Sequence, residues 1–251
     1  AAGREAVTVR VAEGVYYLPE TLVFTAADSG TAEHPVVWAA EREGGAVLSG
    51  GARLHLAWTP CSNGIFKAPV PAGIAIDQLF INGRRQRMAR YPDFDAGKPT
   101  AAYQGFAADA FAPERAARWA DPAGGYIHAM HRARWGGYHY RITGKNPDGT
   151  VAYEGGWQNN RQMGMHKDFR MVENILEELD APGEWFHDAK GATLHLIPST
   201  PDGARWNVPL QGTKGMEGRV PPRPDAGHDG MSTAVVEVVR LRHLVDRKSV
   251  V

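Results

Sequence analysis

Two aromatic clusters hold the residues best suited to chemistry: Trp135-Gly136-Gly137-Tyr138-His139-Tyr140 and Trp157-Gln158-Asn159-Asn160-Arg161, with His166 shortly after. Flat rings present apolar faces, while amides, imidazoles and guanidiniums present directed hydrogen bonds. A ligand that uses both has C–H faces beside dense hydroxyls, which describes a sugar ring. Trp135, His139, Trp157, Asn160, Arg161 and His166 are therefore the candidate substrate-binding residues. A purely structural arrangement competes with this one. In it Trp135, Tyr140 and Trp157 form a small core, and Arg161 and Arg170 pair with nearby acids.

Cleaving a glycosidic bond needs two carboxyl groups across the scissile bond, about 5 Å apart for retention and about 6.5 to 9.5 Å for inversion. Linear spacing does not reveal such a pair. Glu173, Glu177, Glu178, Asp180 and Glu184 crowd the segment before Trp185. However, Asp180-Ala181-Pro182-Gly183 reads as a turn with Pro182 and Gly183 at the central positions of type II, and the glutamates read as solvated or paired with arginine. His128 and His131 have HxxH spacing, but no helix fixes their geometry and no ligand cluster follows, so no metal is expected. There is no G-x-S-x-G elbow, GxGxxG or phosphate loop, and no cofactor is expected. The single Cys61 has neither a disulfide partner nor a zinc-spaced neighbour and reads as structural.

Composition narrows the function classes. The 28 Lys and Arg balance the 28 Asp and Glu across 251 residues, so no excess basic field favours nucleic acid or anionic lipid. No apolar run reaches the roughly 18 residues of a membrane helix, and no export signal opens the chain. The length suits one large or two modest domains with a real core.

The elements that must position the candidates read as strands. Val7-Thr8-Val9-Arg10-Val11 alternates with period two, and short runs at Val15–Leu18, Thr21–Phe24, Val36–Ala40 and Ala46–Leu48 follow, divided by Gly and Pro corners. From pattern alone a β-solenoid and a sandwich both fit. Three hairpin signals come next: Asn82-Gly83, Lys145-Asn146-Pro147-Asp148-Gly149 and Asp188-Ala189-Lys190-Gly191. They predict an antiparallel barrel or sandwich module. One short helix is predicted around Pro113–Trp119, with Pro at its first position. Residues 201–232, rich in Pro and Gly, read as a mobile loop, and strand texture returns from Thr233. The economical organisation has solenoid coils at 1–51, an inserted β-rich module at 52–200, the loop at 201–232, and a resumed solenoid at 233–245.

Several segments spread along the chain resemble glycoside hydrolase family 141. They are Val9-Arg10-Val11-Ala12-Glu13-Gly14-Val15-Tyr16, Ala46-Val47-Leu48-Ser49-Gly50-Gly51, Leu79-Phe80-Ile81-Asn82-Gly83-Arg84-Arg85 leading to Ala89-Arg90-Tyr91-Pro92, Val172-Glu173-Asn174 through Leu179 to Phe186, and Val236-Glu237-Val238 with Leu241 to Val245. The resemblance implies the start of a right-handed parallel β-helix interrupted by an inserted module. It also implies a bacterial, secreted or cell-surface, monomeric protein that hydrolyses fucosidic or xylosidic bonds in plant-type polysaccharide. The family's catalytic acids lie in later coils, so the catalytic residues are expected beyond Val251, with the chain an inactive N-terminal fragment and 246–251 a non-native tail. A polysaccharide lyase or epimerase and a non-catalytic carbohydrate-binding or adhesion protein are the alternatives, because β-helices carry those functions too.

Overall fold

The computed structural model describes residues 3–95, 106–158, 161–199, 231 and 234–247. Within them the chain is all-β, with one short α-helix, Pro113–Ala116, and a few 3-10 turns. Pro113 opens the helix where its missing N–H costs nothing. The expected loop at 201–232 lies, apart from Met231, outside the described residues.

Three two-stranded sheets are parallel. Val7–Val11 lies beside Val36–Ala40, Gly14–Tyr17 beside Ala46–Ser49, and Leu22–Phe24 beside Val245–Arg247. The alternation of the first strand is physical: Val7, Val9 and Val11 are half-buried, while Thr8 and Arg10 are exposed. The strand beside Leu22–Phe24 comes from the far end of the described chain. The described residues between Ser49 and Val245 are thus threaded, in chain order, between strands of these parallel pairs.

The threaded part contains three larger sheets. In the first, the strands run in the order Arg84–Arg85, Leu79–Ile81, Val236–Val239, Gly51–Leu54. In the second the order is Arg87–Met88, Glu184–Asp188, Thr193–Leu196, Phe66–Pro69, Thr59–Pro60. Leu54, Leu79, Ile81, Val236 and Val238 from the first pack with Trp185, Leu194 and Leu196 from the second to form one core. The third sheet runs Arg90–Tyr91, Met165–Glu173, Tyr126–His131, Gly137–Lys145, Val151–Gly155. Its Ile127, Ala129, Tyr140, Ile142 and Val172 pack with Ala116 and Trp119 in a second core.

The three hairpins form as read. Asn82 and Gly83 have φ of 50° and 76°, the paired positive values a tight two-residue turn requires. Lys145 pairs with Val151 and Asp188 with Thr193 across the other two. One expectation needs correction. No described sheet closes on itself, so the expected barrel is absent and open sheets bury their faces against one another. Val236–Val239, in the segment read as resumed solenoid, lies in the first of the three larger sheets. Its alternate valines Val236 and Val238 face the first core, and it bonds antiparallel to Gly51–Leu54 and Leu79–Ile81. Asp246 and Arg247 pair in parallel with Val23 and Phe24. Sheets beyond the parallel pairs are antiparallel or mixed, so sheet topology alone does not establish a parallel β-helix.

Candidate functional site

Strand alternation builds the site. On Tyr126–His131 the residues Ile127, Ala129 and His131 are buried, which turns Tyr126 and His128 to the opposite face. On Gly137–Lys145, Tyr140 and Ile142 are buried and His139 faces outward. Register sets His128 beside His139, and Tyr126 between Arg141 and Glu173. Tyr126, His128, His139 and Glu173 form one wall of a cleft of about 580 Å³. Arg85, Arg87, Arg90 and Phe94 also line it, with Asp77 and Gln78 and with Trp185 contributing from the first core; Arg90 is the register neighbour of Glu173 in the same sheet. A second recess of about 360 Å³ shares Tyr126 and His139 and adds Arg141, Glu154 and Trp157.

The electrostatics of the first wall form a chain. His128 and His139 meet through their Nδ1 atoms, so one ring donates and the other accepts. His128 Nε2 lies 2.9 Å from Glu173 Oε2, at ion-pair distance but off the direction of a good hydrogen bond. Burial works to raise Glu173, but His128, Arg90 and Arg85 outweigh it and hold the carboxyl below the usual range. Burial, then the charge of His128, lowers His139. Beside Glu173 in the same sheet, burial lowers Arg90, whose Nε donates to the Pro92 carbonyl at 2.9 Å. The Arg87 guanidinium stacks on the Phe94 ring, 3.6 Å from its centroid. Behind it, burial and the nearby Asp93 push Glu184 up to about 8.

The sequence candidates separate. His139 and Trp157 come together at the second recess. Trp135 sits with buried His131, their ring centroids 4.4 Å apart, on the core side of the same sheet. It is 56% exposed and Trp157 65%, so neither is core, whereas Tyr140, at 2%, is. His166 is turned to its own backbone, its Nδ1 accepting from the Asp168 and Phe169 N–H groups at 3.0 and 3.2 Å. Arg161 is exposed on the short strand Arg161–Gln162 beside Trp157–Gln158. Asn160 lies outside the described residues. Arg170 donates to the Ala108 carbonyl and stacks on Phe111.

The crowded acids also separate. Glu178 is buried and accepts from Arg115, Arg118 and the Trp119 indole, pinning the helix. Glu177 accepts the Ala120 N–H, Asp180 is exposed, and Glu184 is sealed at 3% exposure. Of these acids only Glu173 lines the cleft. The HxxH pair falls on opposite faces because a strand alternates with period two, and no three potential ligands cluster among the described residues. Sequence reading missed Arg85, Arg87, Phe94 and Tyr126. The closely spaced cations of Arg84-Arg85-Gln86-Arg87-Met88-Ala89-Arg90 are the signal that could have found the arginines.

The molecule is thus an all-β protein with a mixed aromatic, imidazole and guanidinium cleft. A solved structure described as "Glycoside hydrolase" has a similar fold, with a TM-score of 0.64 and 20% identity, covering 98% of this chain and 41% of that one. The chain therefore spans about two-fifths of that protein's length. No family model and no curated protein matches it.

Proposed function

We propose that this chain is part of a secreted carbohydrate-active enzyme, a glycoside hydrolase acting on fucosidic or xylosidic bonds of plant-type polysaccharide, and that the cleft binds the saccharide. The fold shared with a glycoside hydrolase supports the enzyme class. In this reading the three parallel pairs are stacked coils of a right-handed parallel β-helix of the family 141 kind. Residues 52–200 form the module inserted between coils.

One observation carries the site assignment. Two adjoining recesses share Tyr126 and His139, and between them carry exposed Trp157, the imidazoles of His128 and His139, and the guanidiniums of Arg85 and Arg87. A hydroxyl-rich ring satisfies stacking, imidazole and guanidinium together. The assigned role is binding rather than bond cleavage. Glu184, the carboxyl protonated near neutral pH, is buried and does not line the cleft, so it does not face Glu173 across a bound bond. Calorimetric titration with xylo-oligosaccharides and fucosylated oligosaccharides tests the assignment. Binding weakened by His139→Ala and by Trp157→Ala is expected; binding that neither substitution alters would refute it.

A second reading, a polysaccharide lyase, is favoured by the arginines that line the same cleft as the imidazoles. Elimination leaves an unsaturated product that absorbs in the ultraviolet, whereas hydrolysis leaves none.

A further inference from the structure

We infer that Arg85 and Arg87 form a subsite for the anionic substituent, a carboxylate or a sulfate, of an acidic saccharide held in the cleft; this rests on the saccharide-binding reading above. Both side chains line the cleft. Among the described residues no carboxylate forms an ion pair with either, although Asp77 lines the same cleft. An arginine placed without a partner in a concave, partly dry site is ready for an external anion.

The surroundings favour that occupant. Arg87 is held in place by its stack on Phe94 at 3.6 Å, which uses the face of the guanidinium and leaves the N–H edge for a ligand. Burial, then the like charges of Arg90 and Arg85, weaken the hold of Arg87 on its proton, so the cluster repels itself and an anion between the arginines relieves it. Arg90 is already engaged through the Pro92 carbonyl and the field of Glu173. The register neighbour of Arg87 is Glu184, which is pushed up to about 8 and so offers little negative charge near neutral pH. Because the formal net charge of the chain is zero, the positive potential here is local to the cleft and is not a general basicity.

The test uses the full chain and three matched probes: trigalacturonic acid, its carboxyl-reduced neutral trisaccharide, and that trisaccharide bearing a sulfate. At low ionic strength the wild type is expected to bind an acidic probe about tenfold more tightly than the neutral one. Preference for trigalacturonate alone assigns a uronate, and preference for the sulfated probe alone assigns a sulfate ester. Arg87→Gln and Arg85→Gln should each abolish the preference for an acidic probe over the neutral one, while Arg87→Lys should retain part of it. The wild-type comparison stands even if a variant does not fold. Equal binding of all three probes overturns the subsite and leaves the saccharide reading intact. Binding of none overturns both.

Discussion

Replacing Glu184 with glutamine should flatten the dependence of stability on pH. The carboxyl is 3% exposed, and burial with Asp93 and Asp180 nearby pushes it from an ordinary 4.5 to about 8. The folded state therefore binds this proton more tightly than the unfolded state does. The contribution is fully present below pH 4.5, declines as pH rises, and is gone above about 8. At about 1.4 kcal/mol per pH unit, crossing that span of about 3.5 units removes on the order of 5 kcal/mol. Glutamine keeps the volume and can still accept from the Ala181 N–H, but it does not ionise. Urea denaturation followed by tryptophan fluorescence at pH 5, 6.5 and 8 should show similar stability at pH 5 and a variant more stable by a few kcal/mol at pH 8. The difference between the two proteins isolates this residue, because the other titrating groups are common to both. Parallel profiles, or a less stable variant at pH 8, would refute the assignment of Glu184 as a carboxyl kept neutral by burial.

Glu178→Ala should cost about 3 to 5 kcal/mol in the same denaturation assay, because Arg115 and the Trp119 indole lose a buried partner. Gly156→Ala should destabilise by about 1 to 3 kcal/mol, since its φ is +69° and an added Cβ collides with the Tyr140 ring. Trp157→Ala should weaken oligosaccharide binding about tenfold in a calorimetric titration, as expected for loss of a stacking ring. Trp135→Ala should leave that affinity unchanged, because Trp135 packs on the core side with His131.

Local features were the most legible in the sequence. Asn82-Gly83 forms its hairpin because positive φ at both positions is a local matter. Pro182-Gly183 makes its turn for the same reason, with Gly183 at φ 85° and the Glu184 N–H bonded to the Ala181 carbonyl. Pairing over long distances was not legible. Nothing local in Val236-Glu237-Val238-Val239 distinguishes a solenoid strand from one that lies antiparallel beside Gly51–Leu54. The site was half legible for a similar reason. His139 and Trp157 were found by residue type, but the faces of the sheet then separated them from Trp135. Arg85 and Arg87 join His139 in the cleft only through the packing of separate sheets, which no window of sequence contains.

The central claim, that a saccharide occupies this groove, is tested most directly by the indole N–H resonances of the protein during titration with a neutral oligosaccharide. The account predicts that the Trp185 and Trp157 signals shift together while Trp135 stays in place. A titration that moves Trp135 and leaves Trp185 and Trp157 unchanged would contradict it.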